Sequence, residues 1–300
     1  MSKFSRLGVS VVKTLAYAAV FEFPLRLEEV AVRLIEPPSE GRLKEKDVKR
    51  VLEEELGKVV KKVQGYYLLR SVDGGVVKKR KEMSEVLERK RELIEQDANL
   101  LRQVQTIEAV VMTGSVAAGN VTVEDDLDLL LITAAGCLWW SRLRAVLLLN
   151  RDARRRRPGE TEVTDKVCLN MLMSRDALFL DRHDLYTAHE LVQAICLWQR
   201  NGACSELLKE NSWVGEYLPF WYARSLQDVP DSRDENNRAW LGRQMEGMVR
   251  TMQQVYMQGR KTKELVTKNR AMFHPEDRKE RVLEVYERKV EELGVVKSKF

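Results

Sequence analysis

The 300-residue chain has no C-x-x-C pair and no cysteine spacing suited to zinc. It also has no internal repeat and no low-complexity tract. No apolar run approaches the roughly eighteen residues that a membrane span needs. Lys3 and Arg6 precede an apolar patch, but Lys13 and Glu22 interrupt it and no small-residue cleavage site follows, so a secretory signal is not expected. These absences argue against zinc modules, solenoids, membrane proteins and secreted disulfide scaffolds. Four scattered cysteines, Cys137, Cys168, Cys196 and Cys204, read as reduced thiols of a cytoplasmic protein. The net charge of +5 and pI of about 8.9 are compatible with nucleotide or nucleic-acid partners without demanding them. A 44% hydrophobic content supports a sizeable core, and the length suggests two or three domains.

Residues 112–133 concentrate the chemistry. Gly114 and Ser115 follow the apolar run Ala109–Met112, and eleven residues after Ser115 comes Asp126-Leu127-Asp128, which opens a second apolar run ending at Thr133. Alternate residues of a strand share a face. Asp126 and Asp128 are therefore expected to point one way, with Leu127 and Leu129 pointing into the core. Two carboxylates at the start of a strand make a hard-oxygen site suited to Mg²⁺ or Mn²⁺. A Gly-Ser turn beside them lets backbone N–H groups and a hydroxyl approach a phosphate. Burying two acids beside Leu129–Ile132 is costly unless something pairs them.

The remaining pattern is mixed. Helices are expected over Val9–Phe21, onward to Leu34 and over Lys44–Leu56, followed by a hairpin over residues 58–70 that turns at Gln64-Gly65. The third helix mixes Glu45, Asp47 and Glu53–Glu55 with Lys44, Lys46, Lys49 and Arg50, a weak footprint for DNA. One long charged helix is expected over Val77–Gln103. An apolar helix over Cys137–Asn150 leads into an arginine-rich loop, Arg151 with Arg154–Arg157, which is a candidate phosphate clamp. A third strand covers Val167–Met173, with Cys168 and Asn170 expected on one face and Val167, Leu169 and Met171 on the other. Tyr186–Gln199 reads as one helix and residues 205–300 as mostly helical.

Gly114, Ser115, Asp126 and Asp128, with strand-like runs on both sides, resemble the DNA polymerase β-like nucleotidyltransferase superfamily in identity, order and spacing. The wider chain is similar to a group of uncharacterised prokaryotic nucleotidyltransferase-domain proteins. That likeness rests on the winged-helix-like start, Val167–Asn170, Leu185–Glu190 and Phe273-His274-Pro275. The resemblance implies an α+β chain: a winged-helix-like domain over 1–75, a nucleotidyltransferase core with a short mixed sheet over 76–184, and a helical region over 185–300. It implies that Asp126 and Asp128 bind the metals that hold a nucleoside triphosphate. Gly114 and Ser115 would then hold its phosphates, and Asn120 would brace the turn. It further implies transfer of an NMP to an unknown acceptor (small molecule, protein or RNA) with release of pyrophosphate. The superfamily's third carboxylate is missing here, since Asn170 stands where it is expected and cannot accept a proton at neutral pH. Asp165, Glu162 and His189 are the candidates to replace it. The alternative is a catalytically impaired regulator that binds DNA or a protein through the winged helix.

Overall fold

The computed structural model describes residues 3–38, 43–230, 239–258, 265–272 and 277–295. The motif Phe273-His274-Pro275 lies outside the described residues. The chain is a mixed α+β protein built on one six-stranded mixed sheet and one small hairpin.

Helices α1 (Arg6–Val20), α2 (Leu27–Val32) and α3 (Glu45–Arg50) come first. A single π-helical turn, Val51–Glu55, extends α3. The hairpin expected next is present: β1 (Val60–Val63) pairs antiparallel with β2 (Tyr66–Leu69). Gln64 and Gly65 join them with φ of 48° and 89°. Two successive positive φ values match the right-handed twist of hairpin strands, which is why glycine stands in that turn.

The long charged helix expected over Val77–Gln103 is instead two helices, α4 (Gly75–Glu82) and α5 (Ser84–Leu101). The break at Met83 has neither proline nor glycine. There the Ser84 hydroxyl donates to the Lys81 carbonyl, a local bond that competes with the helix ladder. The two pieces also serve different cores: Val76 and Val77 pack with the N-terminal helices, whereas Ile94, Ala98 and Leu101 pack beneath the sheet.

The sheet strands are β3 (Ile107–Met112), β4 (Leu127–Thr133), β5 (Val167–Ser174), β6 (Ile195–Gln199), β7 (Leu265–Val266) and β8 (Arg270–Met272), in spatial order β6-β3-β4-β5-β8-β7. Only β4 and β5 run parallel. The C-terminal part of the expected helix Tyr186–Gln199 is β6; the helix, α8 (Leu185–Gln193), stops at Ala194, which is extended. The run Ile195-Cys196-Leu197-Trp198 is β-branched and aromatic in composition, which favours a pleated surface. The β7–β8 pair likewise interrupts the expected helical tail and extends the sheet beyond β5.

Alternation along β4 sorts its side chains between two layers. Leu127, Leu129 and Leu131 pack with α5 and with α7 (Leu138–Arg151), joined by Val249 of α12 (Trp240–Gln258). Leu130 and Ile132 pack on the opposite face, in the core shared by α8, the N-terminal helices and α9 (Ala203–Glu210). Fully burying a leucine contributes about 1.5–3 kcal/mol, so this register is strongly fixed: a one-residue slip would exchange the two faces. The α7 N-terminus is held by Glu246 of α12, whose two carboxylate oxygens each accept a backbone N–H, from Trp139 and Trp140, at 2.9 Å. Helices α10 (Val214–Tyr217), α11 (Pro219–Gln227) and α13 (Asp277–Glu292) complete the second layer.

The expectation of four reduced thiols is corrected. Cys196 on β6 and Cys204 on α9 form a disulfide, brought together as Asn201 and Gly202 turn the chain back with positive φ. Cys137 and Cys168 are free. Among the described residues no helix is long and apolar enough to cross a membrane.

Candidate active site

The site forms where β3 ends and β4 begins. Strand β3 runs into α6 (Gly114–Ala118), a single short helix that closes at Gly119. Gly114 has φ of +66°, and a Cβ there would collide with the Asp128 side chain. Only glycine lets the turn lie this close to that carboxylate. The Thr113 N–H donates to the Asp128 carbonyl at 3.0 Å, and the Asn120 N–H donates to the Ser115 carbonyl at 3.0 Å. The Asn120 side chain donates to the Phe21 carbonyl at 3.1 Å, tying the turn to the end of α1. Asn120 thus braces the turn, and it does so through the N-terminal helices.

Asp126 precedes β4 instead of opening it. Its Oδ2 accepts from Arg156 at 2.6 Å, so one arginine of the basic loop touches the acidic pair. Asp128 lies one register step inside the strand, directly opposite Cys168 of the parallel neighbour β5. One ligand atom each of Asp126, Asp128 and Cys168 lies within 4.8 Å of the others. Burial, then the Asp126 charge, push the Asp128 carboxyl up to about 7; a hydrogen bond from Cys168 opposes this, the Glu190 charge on α8 adds to it, and Arg156 opposes it. Burial, then the two aspartates, push the Cys168 thiol well above its ordinary range. The buried Thr113 Oγ1 beside the turn and the buried Asn170 Oδ1 have no hydrogen-bond partner among the described residues.

The pairing of β4 with β5 steps from Leu129↔Leu169 to Leu130↔Met171, so Asn170 is the extra residue of a β-bulge. The bulge moves Met171 to the face of Leu130, while Leu169 and Leu172 share the other. Ahead of the bulge, the residue across from Asp128 is Cys168.

The proposed replacements for the third acid lie elsewhere in the packing. Asp165 is bound by Arg89 and by Lys90, whose buried ammonium also donates to the Val123 and Asp125 carbonyls at 3.1 and 2.6 Å. Burial raises the Asp165 carboxyl, and hydrogen bonds from Lys90 and Arg89 more than offset this, so it lies below the usual carboxylate range. Glu162 is exposed on the loop before β5. His189 is buried, donates its Nδ1–H to the Leu185 carbonyl at 2.9 Å, and stacks on Tyr17 with ring centroids 3.7 Å apart. Burial drives its imidazole down to about 3, so it is a neutral packing residue between α8 and α1. Neither Asp165, Glu162 nor His189 joins the Asp126–Asp128–Cys168 cluster.

The remaining loop arginines mostly serve the fold. Arg154 pairs with buried Asp97 at 2.6 Å, and the Arg155 guanidinium is lowered by burial. A cavity of about 400 Å³ opens against α8, β6, α9 and α11; Val111, Ala117, Arg33 and Trp221 line it, and the two aspartates do not. Two participants went unassigned in the sequence. Cys168 was visible on the right face but carried no ligand signal, and Glu190 was visible only as the neighbour of His189. The chain matches no family model, no curated protein and no solved structure.

Proposed function

We propose that this chain is a divalent-cation-dependent nucleotidyltransferase of the polymerase β-like kind, moving an NMP from an NTP to an acceptor hydroxyl or amine. The convergence of Asp126, Asp128 and Cys168 beside a glycine turn carries this reading. The donor set fits a divalent cation: two carboxylates and a third ligand atom, with a carboxyl at Asp128 that burial and like charge hold up to about 7 until something cationic offsets them. When bound, the cation neutralises the triphosphate and polarises the α-phosphoryl group.

The protein's own groups supply the rest. Asp126 and Asp128 hold the cation. The Gly114–Ser115 turn and the unpartnered Thr113 hydroxyl face the phosphates. Arg156, which donates to Asp126, would offer its planar donor fork to the phosphates of a bound triphosphate. The acceptor would attack the α-phosphorus as the bond to pyrophosphate breaks, and its proton would leave to solvent, since among the described residues no further carboxylate or histidine joins the cluster. The N-terminal helices and hairpin, in winged-helix order, carry mixed charge on α3 and favour a docking role over DNA binding.

A specific observation favours a second reading. The residue paired with Asp128 on β5 is a thiol instead of a carboxylate, which suits a regulator that binds nucleotide without turnover. Incubation with each α-labelled NTP, Mg²⁺ or Mn²⁺, and RNA or small-molecule acceptors decides between them. The transferase reading expects labelled product that disappears in Asp126→Ala. Metal-dependent NTP binding with no transfer under any of these conditions supports the regulator.

A further inference from the structure

We propose that Cys168 is the third protein ligand of the metal at Asp126 and Asp128, and that its sulfur makes the site prefer a borderline divalent cation (cobalt or zinc) over magnesium. The inference rests on the metal-site reading above and adds the identity of the ligand and the class of ion.

Register places the sulfur. Cys168 is the direct partner of Asp128 in the parallel β4–β5 ladder, and the bulge at Asn170 begins only after it. The Sγ atom and one oxygen of each aspartate lie within 4.8 Å of one another. Ligands at about 2.0–2.3 Å from one ion span that range. Cys168 is also not core filler: it is partly exposed and belongs to neither apolar cluster flanking the sheet. Pairing across the ladder and proximity of their ligand atoms bring sulfur and carboxylate to one site. The other free thiol, Cys137, is fully buried at the start of α7, in a separate cluster with Ala134 and Ala239.

The chemistry then selects the ion. Magnesium demands oxygen ligands in a near-octahedral shell and gains little from sulfur. Thiolate favours the later first-row ions. Binding forms one metal–sulfur bond and releases the thiol proton to solvent, with no change of oxidation state. A carboxylate at this position would leave an all-oxygen magnesium site, so the thiol is the specificity element.

The test uses the full chain, without reductant, titrated with Co²⁺ and followed by near-ultraviolet absorbance. A sulfur-to-cobalt charge-transfer band is expected in the native protein and absent in Cys168→Ser, with cobalt binding weakened by roughly tenfold or more. Equilibrium dialysis should show Co²⁺ and Zn²⁺ bound more tightly than Mg²⁺, and Cys168→Asp should shift the preference toward Mg²⁺. A native protein that binds cobalt without the band, or a band unchanged in Cys168→Ser, overturns the proposal. If cobalt binding without the band is still lost in Asp128→Asn, only the sulfur ligand fails. If no divalent ion binds in a way that depends on Asp126 or Asp128, the metal site itself fails. The native spectrum decides even where the Cys168→Ser chain does not fold.

Discussion

Asp128→Asn should stabilise the metal-free protein most at pH 8, less at pH 5 and little below the ordinary carboxylate range. The Asp128 carboxyl stands at about 7 in the folded chain against an ordinary 3.8. A raised folded value means that the group favours the fold fully below its unfolded pKa and that this contribution is lost as pH rises through about 7. Three units at about 1.36 kcal/mol each give an upper limit of about 4 kcal/mol. The side chain is only partly buried, so water screens some of this, and about 2–4 kcal/mol is the expected gain at pH 8. For a chain of this size that raises Tm by roughly 4–8 °C. Asparagine keeps the shape and an acceptor for the Cys168 thiol while removing the charge that Asp126 and Glu190 repel. Thermal melts of native and variant protein at pH 5, 7 and 8, in chelator, read the effect. Added Mn²⁺ should reverse the order, stabilising the native chain alone. A variant that melts lower at pH 8, or whose gain is the same at pH 5, would refute the electrostatic reasoning.

Further outcomes follow from the same geometry. Gly114→Ala should cost about 1–3 kcal/mol for its positive φ and remove cation binding by driving the turn off Asp128, read by urea unfolding and calorimetry; unchanged values would contradict the close approach. Asp165→Asn should cost about 3 kcal/mol, because it leaves the buried Lys90 ammonium with carbonyl partners alone. The native pair's contribution is present above the unfolded pKa of about 3.9 and lost as pH falls through the lower folded value. A loss under about 1 kcal/mol would show that Lys90 needs no counter-charge. The His189 ring resonances should not shift between pH 5 and 8, since the imidazole stays neutral down to about 3; a titration in that window would place the ring in contact with solvent. Cys168→Asp, and not Asn170→Asp, is the substitution that should strengthen Mg²⁺ binding, because only Cys168 is in register with Asp128.

The sequence made the centre of the sheet legible. Strands β3, β4 and β5 are nearly continuous apolar runs, and Gly114 and the two aspartates punctuate them. The hairpin announced itself through Gln64-Gly65 between short apolar stretches. What stayed hidden depended on partners distant in sequence. The apolar run Ile195–Trp198 follows α8 with no glycine or proline between them, so only pairing with β3 makes it a strand. The strands β7 and β8 are too short to show a period. Nothing local marks the bulge at Asn170, which turns Met171 to the face of Leu130. His189 looked available for catalysis until Tyr17, from the other end of the chain, stacked on it. Asp165 likewise took its partners from α5.

The central claim is that Asp126 and Asp128 hold a cation that in turn holds a triphosphate. Calorimetric titration of the metal-loaded protein with a non-hydrolysable NTP analogue tests it most directly, with Asp126→Ala and Asp128→Ala titrated alongside. The account predicts metal-dependent binding in the native chain, abolished by chelator and weakened by tenfold or more in each variant, which is about 1.4 kcal/mol or more. Triphosphate affinity that is indifferent to the metal and unchanged in both variants would contradict it.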